Sequence, residues 1–161
     1  MTLKEKILNV MKSVAVIGKD ARNDEVGYDF VSAAKLNAAV STALRDNRVI
    51  CLPTANVIEN QSVQTNGGNE TLATVAVDIT LQDVDSDENF TIRGVGSGID
   101  KGDKSFAKAQ TMAMKYAWKM AFVIAESSDD PDANKNTGAY TAPKAKPAPS
   151  SATTKNSVWI K

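Results

Sequence analysis

The stretch GVGSGIDKGDKS, Gly94 to Ser105, joins three glycines at alternate positions to a Gly-Asp-Lys-Ser run. It sits where an extended segment gives way to a helix, the place where a nucleotide-binding enzyme keeps its phosphate loop. Such a loop reads G-x-x-x-x-G-K-[ST], because the glycine before the lysine lets backbone amides wrap the phosphates. From Gly98 to Lys104 the overall spacing agrees, and Ser105 follows the lysine. Gly102 comes one place early, however, and Asp103 occupies the required glycine position, where a carboxylate repels a polyphosphate. The dinucleotide pattern G-x-G-x-x-G fails too, since Gly94, Gly96 and Gly98 are spaced by twos. A strand end with a bulge and a helix entry explains the glycines without a ligand.

Two acidic runs invite a metal. Asp83, Asp85 and Asp87 match the first ligands of a calcium loop, but Glu88 replaces the turn glycine and Gly94 the bidentate glutamate. A solvated hairpin turn is the better account. DDPD at 129–132 reads as a helix-terminating turn. The chain has no histidine, which removes the usual nucleophile–base pairs and the commonest metal ligand. Its one cysteine, Cys51, excludes an internal disulfide. These features point to no catalytic residue, no metal and no cofactor.

The elements that must position these residues follow from periodicity. Thr2-Leu3-Lys4-Glu5 has capping-box spacing and opens a helix carrying Leu3, Ile7, Met11, Val14 and Ala15, with Gly18 as its stop. Residues 19–29 are polar and turn-rich. A second helix spans about 31–47 with Leu36, Val40, Ala43 and Leu44 on one face. RVICLPTANVIE then reads as a strand interrupted at Pro53, and QTNGGNE as a hairpin tip. Val75, Val77, Ile79 and Leu81 alternate with polar or small residues in the clearest strand, DVDSDEN makes a second turn, and Phe90 and Ile92 begin a third strand. The expected fold is α+β, an antiparallel three-stranded meander packed with helices. One domain spans residues 1–132, followed by a basic, Pro/Ala/Ser/Thr-rich disordered tail, 133–161, that ends in VWIK. The N-terminus carries charge from its fourth residue and reads as no signal peptide, and no apolar run is long enough for a membrane span.

The formal net charge is zero, yet unevenly placed: the first 132 residues hold 14 basic and 19 acidic side chains, and the tail five lysines and no acid. Charge asymmetry directs attention to local basic features. The third helix, about 104–126, supplies one. Phe106, Ala109, Ala113, Ala117, Met120 and Ile124 form its core stripe, while Lys101, Lys104, Lys108, Lys115 and Lys119 fall in a second sector about 60° wide. A line of ammonium groups is either a solvated face or a match for a row of phosphates. Trp118 projects beside it, packed in the core or offered to a stacking base.

These residues are also familiar. GYDFVSAAKLNAAVSTAL (27–44), a meander, GSGIDKGDKSFAKAQTMAMKYAWKMAFVI and DDPDAN together resemble the ERF (essential recombination function) family of phage single-strand annealing proteins, over about residues 5–134. Members usually show arginine or a second tyrosine where this chain has Trp118 and Lys119. The resemblance implies a β-β-β-α core, ATP-independent coating and pairing of single-stranded DNA, and assembly into rings or helical filaments. It also implies work in the cytoplasm of a bacterial host beside a single-strand-binding protein or exonuclease. By that similarity Lys108, Lys115 and Lys119 are DNA-binding, and geometry alone adds Lys101, Lys104 and Arg93. A non-catalytic phage structural or adaptor protein, and a nucleotide-binding enzyme, are the other readings.

Overall fold

The computed structural model describes residues 1–127. Helix α1, Leu3–Ser13, begins at Thr2, whose hydroxyl accepts from the Glu5 amide while the Glu5 carboxylate accepts from the Thr2 amide. Strand β1, Val16–Ile17, follows, then a short antiparallel hairpin of β2, Ala21–Asn23, and β3, Tyr28–Phe30, inside the segment read as turn-rich. Helix α2, Ala33–Asp46, is capped by Ser32 and buries Leu36, Val40, Ala43 and Leu44 as its periodicity requires. The meander comprises β4, Val49–Thr65, β5, Gly68–Asp83, and β6, Asn89–Asp100, in sheet order β4-β5-β6. Helix α3, Ser105–Phe122, then crosses β5 and β6, and β7, Ala125–Glu126, pairs in parallel with β1.

Strand β4 runs unbroken through Pro53, contrary to the expected interruption. It is an edge strand, so the amide that proline lacks has no ladder partner to lose. The one register shift lies between Val57 and Glu59, on β4 and not at the glycines. Gly68 closes the β4–β5 turn at φ 106°, a left-handed conformation that favours glycine.

Alternation in β5 sends Ala73, Val75, Val77, Ile79 and Leu81 toward the helices, where they join Val10, Val31, Leu36, Leu44 and Phe122 in one core. Gly94, Gly96 and Gly98 lie on the same sheet face, opposite Val77, Val75 and Ala73. Their spacing by twos is the strand period, so all three turn toward α3. A Cβ at Gly94 would stand 2.1 Å from the Ala113 carbonyl, and one at Gly96 2.3 Å from the Ala113 amide. At Gly98 it would come within 2.6 Å of Lys108 Cβ. The glycines are therefore a packing surface inside a strand, met on α3 by the buried Ala109, Ala113 and Ala117.

The acidic turn is equally structural. Lys6 of α1, 4% exposed, reaches both Asp83 and Asp85, and Arg48 grips Asp85 at 2.7 Å. The Lys6 hydrogen bond, chiefly, holds the Asp83 carboxyl below its ordinary value, and Arg48 followed by Lys6 does so more strongly for Asp85. Helix α3 ends four residues before the sequence suggests, because Val123 turns left-handed at φ 51°. Met120, expected in the core, is instead 75% exposed; Phe106 is half-buried, and Ile124 is buried beyond the helix.

Gly96→Ala is expected to lower unfolding stability in urea by about 2–3 kcal/mol, because the backbones of β6 and α3 must part. Gly102→Ala, whose nearest neighbour is an Asp100 oxygen at 3.4 Å, should change it little. The acidic cluster makes a second prediction. Carboxyls whose folded values are depressed stabilise the fold above the ordinary carboxylate range and lose that contribution as pH falls through and below about 4. Lys6→Met should lower the neutral-pH thermal midpoint well beyond the effect of Arg22→Ala, whose exposed pair with Asp29 is worth little, and should flatten the fall between pH 7 and 3.

Candidate nucleic-acid interface

The β6–α3 contact dictates where the α3 lysines go, and the outward line of five amines does not form. Lys101 and Lys104 precede the helix; Lys104 is its N-cap residue, and the Lys101 ammonium lies beside Gly67 at the β4–β5 tip. Lys108 folds back onto Asp100 at 2.6 Å and donates to the Ile99 carbonyl at 2.9 Å. Lys115 is largely buried: it donates to the Val31 carbonyl at 2.7 Å, lies 5.2 Å from the Phe30 ring centroid and stands 3.6 Å from Glu126. Lys119 donates to the same Glu126 carboxylate at 2.8 Å.

Glu126 is the organiser here, and no sequence motif singles it out. It is 7% exposed, and its second oxygen accepts from the Val31 amide. Burial alone would raise its carboxyl, but the Lys119 hydrogen bond, the Val31 amide and the charges of Lys115 and Lys119 hold it below its usual value. The one available signal was an acid closing an otherwise apolar run, AFVIAE.

Of the two readings of Trp118, the structure takes the packed one. It is 2% exposed, its ring lies parallel to Phe122 at 5.6 Å, and its indole N–H donates to Asn37 Oδ1. No face is free for a base in this arrangement. Arg93 stands on the opposite sheet face from α3, in a two-pronged bond with Asp78 that holds the Asp78 carboxyl down.

What the fold does bring together is smaller. Along the β6 edge and the first turns of α3 runs an open cleft of about 630 Å³, with Ser97, Gly98, Ala107 and Met112 as its floor and Lys104, Lys108 and Thr111 around it. Lys101 and Lys104 are exposed, and among the described residues neither has a carboxylate within ion-pair distance. Asp100, held below its ordinary value chiefly by Lys108 and then by the Gly102 amide, half-neutralises one side of the cleft. Amines beside small, flat surface suit a phosphate chain more than a compact metabolite. The packed glycines leave no phosphate loop. Among the described residues no group of three or more metal-ligating side chains gathers, and no helix is long and apolar enough to cross a membrane. DDPD, the tail and VWIK lie outside the described residues.

The order β4-β5-β6-α3 defines a β-β-β-α protein of the α+β class, with a basic cleft at the meander's edge. The sequence model of the ERF superfamily matches residues 3–158, and the chain belongs to that superfamily, a family of phage recombination proteins. No curated protein matches it.

Glu126→Ala strips the acceptor from a buried amide and two lysines, and is expected to cost about 1–3 kcal/mol in chemical denaturation. Lys104→Ala, at an exposed cap without a side-chain bond, should leave stability within error.

Proposed function

We propose that this chain binds single-stranded DNA and anneals complementary strands without ATP, as a homo-oligomer, in phage homologous recombination. Membership of the ERF superfamily supplies the DNA partner, and the observation that carries the reading is the open cleft in which Lys104 and Lys108 stand beside Ser97, Gly98, Ala107 and Met112. Lys101, Lys104 and Lys108 take the phosphates. Lys115, Lys119, Arg93 and Trp118 act from behind, keeping α3, β7 and the sheet in register, since their polar groups are already engaged.

The mechanism needs no bond breaking. Phosphate contacts release counterions and hold the strand by its backbone, independent of sequence. The bases are left to sample a second strand, and base pairing supplies the free energy. Lys108 exchanges Asp100 for a phosphate on binding, so its contribution is the difference between two ion pairs.

Two fluorescently labelled complementary oligonucleotides, mixed without nucleotide or divalent metal, should pair faster with the protein than in buffer. Replacing Lys104 and Lys108 together with alanine should weaken single-strand affinity about tenfold at 0.1 M salt. It should also reduce the salt slope by about 1.4, roughly 0.7 for each phosphate that no longer meets an ammonium group. Lys115→Ala should leave the slope almost unchanged while lowering the thermal midpoint. If the double variant binds and pairs strands as the wild type does, the cleft is a solvated face; if the wild type pairs strands no faster than buffer, the chain is a phage adaptor.

A further inference from the structure

Two carboxylates meet the lysines of α3, and they differ in how open the pair is to water. Glu126 is 7% exposed and holds Lys115 and Lys119 inside the fold. Asp100 closes β6 beside the cleft, and the Lys108 side chain that reaches it is 52% exposed. Only the second pair stands where a strand can arrive.

The Asp100 carboxylate divides its two oxygens. Oδ1 accepts from the Gly102 amide at 2.8 Å, and Oδ2 faces the Lys108 ammonium at 2.6 Å. The first bond is to the main chain of the turn after β6, so the carboxylate keeps its place whether or not the lysine stays. The ammonium is held separately too. It donates to the Ile99 carbonyl at 2.9 Å, and because an ammonium has three N–H groups, one is left for an incoming oxygen. Abandoning a buried carboxylate is costly, but Asp100 retains the Gly102 amide and, with its side chain 18% exposed, gains water.

We propose that Asp100 is a resident competitor for the phosphate that Lys108 takes. It yields the ammonium as a strand enters and reclaims it as the strand leaves, and so sets how long a single strand stays in the cleft. Lys101 and Lys104 supply the capture, and the Lys108 contact is the reversible one. A competitor fixed to the site is never diluted, so it acts at every protein concentration. Strands that must slide into register and depart as a duplex need a contact of this kind. The proposal rests on the functional reading and deepens it, by assigning a residue that loosens the strand.

The test uses the full chain. Asp100→Asn keeps an acceptor for the Gly102 amide and removes the charge; Asp100→Ser is a second neutral variant, and circular dichroism verifies the fold of each. A fluorescently labelled oligothymidylate is titrated at 0.1 M salt, and its dissociation is followed after a chase of unlabelled strand. Both variants should bind about two- to fivefold more tightly than wild type, the range that an exposed ion pair is worth, and release the strand more slowly by a similar factor. Asp103→Asn makes the same change of charge at an exposed neighbour and should gain less than half as much. In a Lys108→Ala background Asp100→Asn should gain nothing, because the contested ammonium is gone. Neutral variants that bind no more tightly than wild type, a gain matched by Asp103→Asn, or a gain that persists without Lys108 overturns the proposal and leaves the functional reading standing. If neither wild type nor the Asp100 variants bind a strand, both fall.

Discussion

The distance between β6 and α3 governs this protein. At Gly94 and Gly96 the helix backbone lies so near the strand that a single methyl group would meet Ala113 main-chain atoms at little more than 2 Å. Only glycine on one side and alanine on the other permit that approach, and interiors packed to crystal density leave little slack to absorb more. Once α3 is seated there, its rotation is set. Ala109, Ala113 and Ala117 must face the sheet, and every other α3 side chain takes its direction from them.

That rotation explains the electrostatics. Lys115 and Lys119 are turned toward the end of the sheet where β7 brings up Glu126, and Trp118 toward α2, where Asn37 meets its N–H. A buried carboxylate requires compensation, and two lysines together with an amide provide it. The Lys6–Asp83–Asp85–Arg48 cluster does the same at the β5–β6 turn. Cations that would look available on a helical projection are thereby engaged inside the fold. What is left outward is the approach to α3, where Lys101 and Lys104 stand before the first helical turn and Lys108 borders the cleft.

For a recombination protein of this superfamily, the arrangement divides labour along one helix. Its start offers amines beside an open cleft, its middle locks to the sheet, and its end joins a buried ion cluster around Glu126.

Much of the architecture was legible in the sequence. The Thr2 capping box, the Leu36–Leu44 face, the alternation from Val75 to Leu81 and the turn around Gly68 are local patterns, and local patterns survive folding because each is set by neighbours within one or two turns. Pro53 misled because only sheet order shows that β4 is an edge. At the glycines only the expected bulge is absent, because spacing by twos marks the strand period but does not show the helix that packs against it. The lysines misled because a helical projection shows directions but not what waits at the end of them. The sequence alone determined the three helices and the meander between them, the membership of the family and the stock of basic residues on and before the last helix. Tertiary structure decided which of those residues still face water, since Asp100, Glu126 and Val31 reach their partners only after strands and helices far apart in the chain have packed.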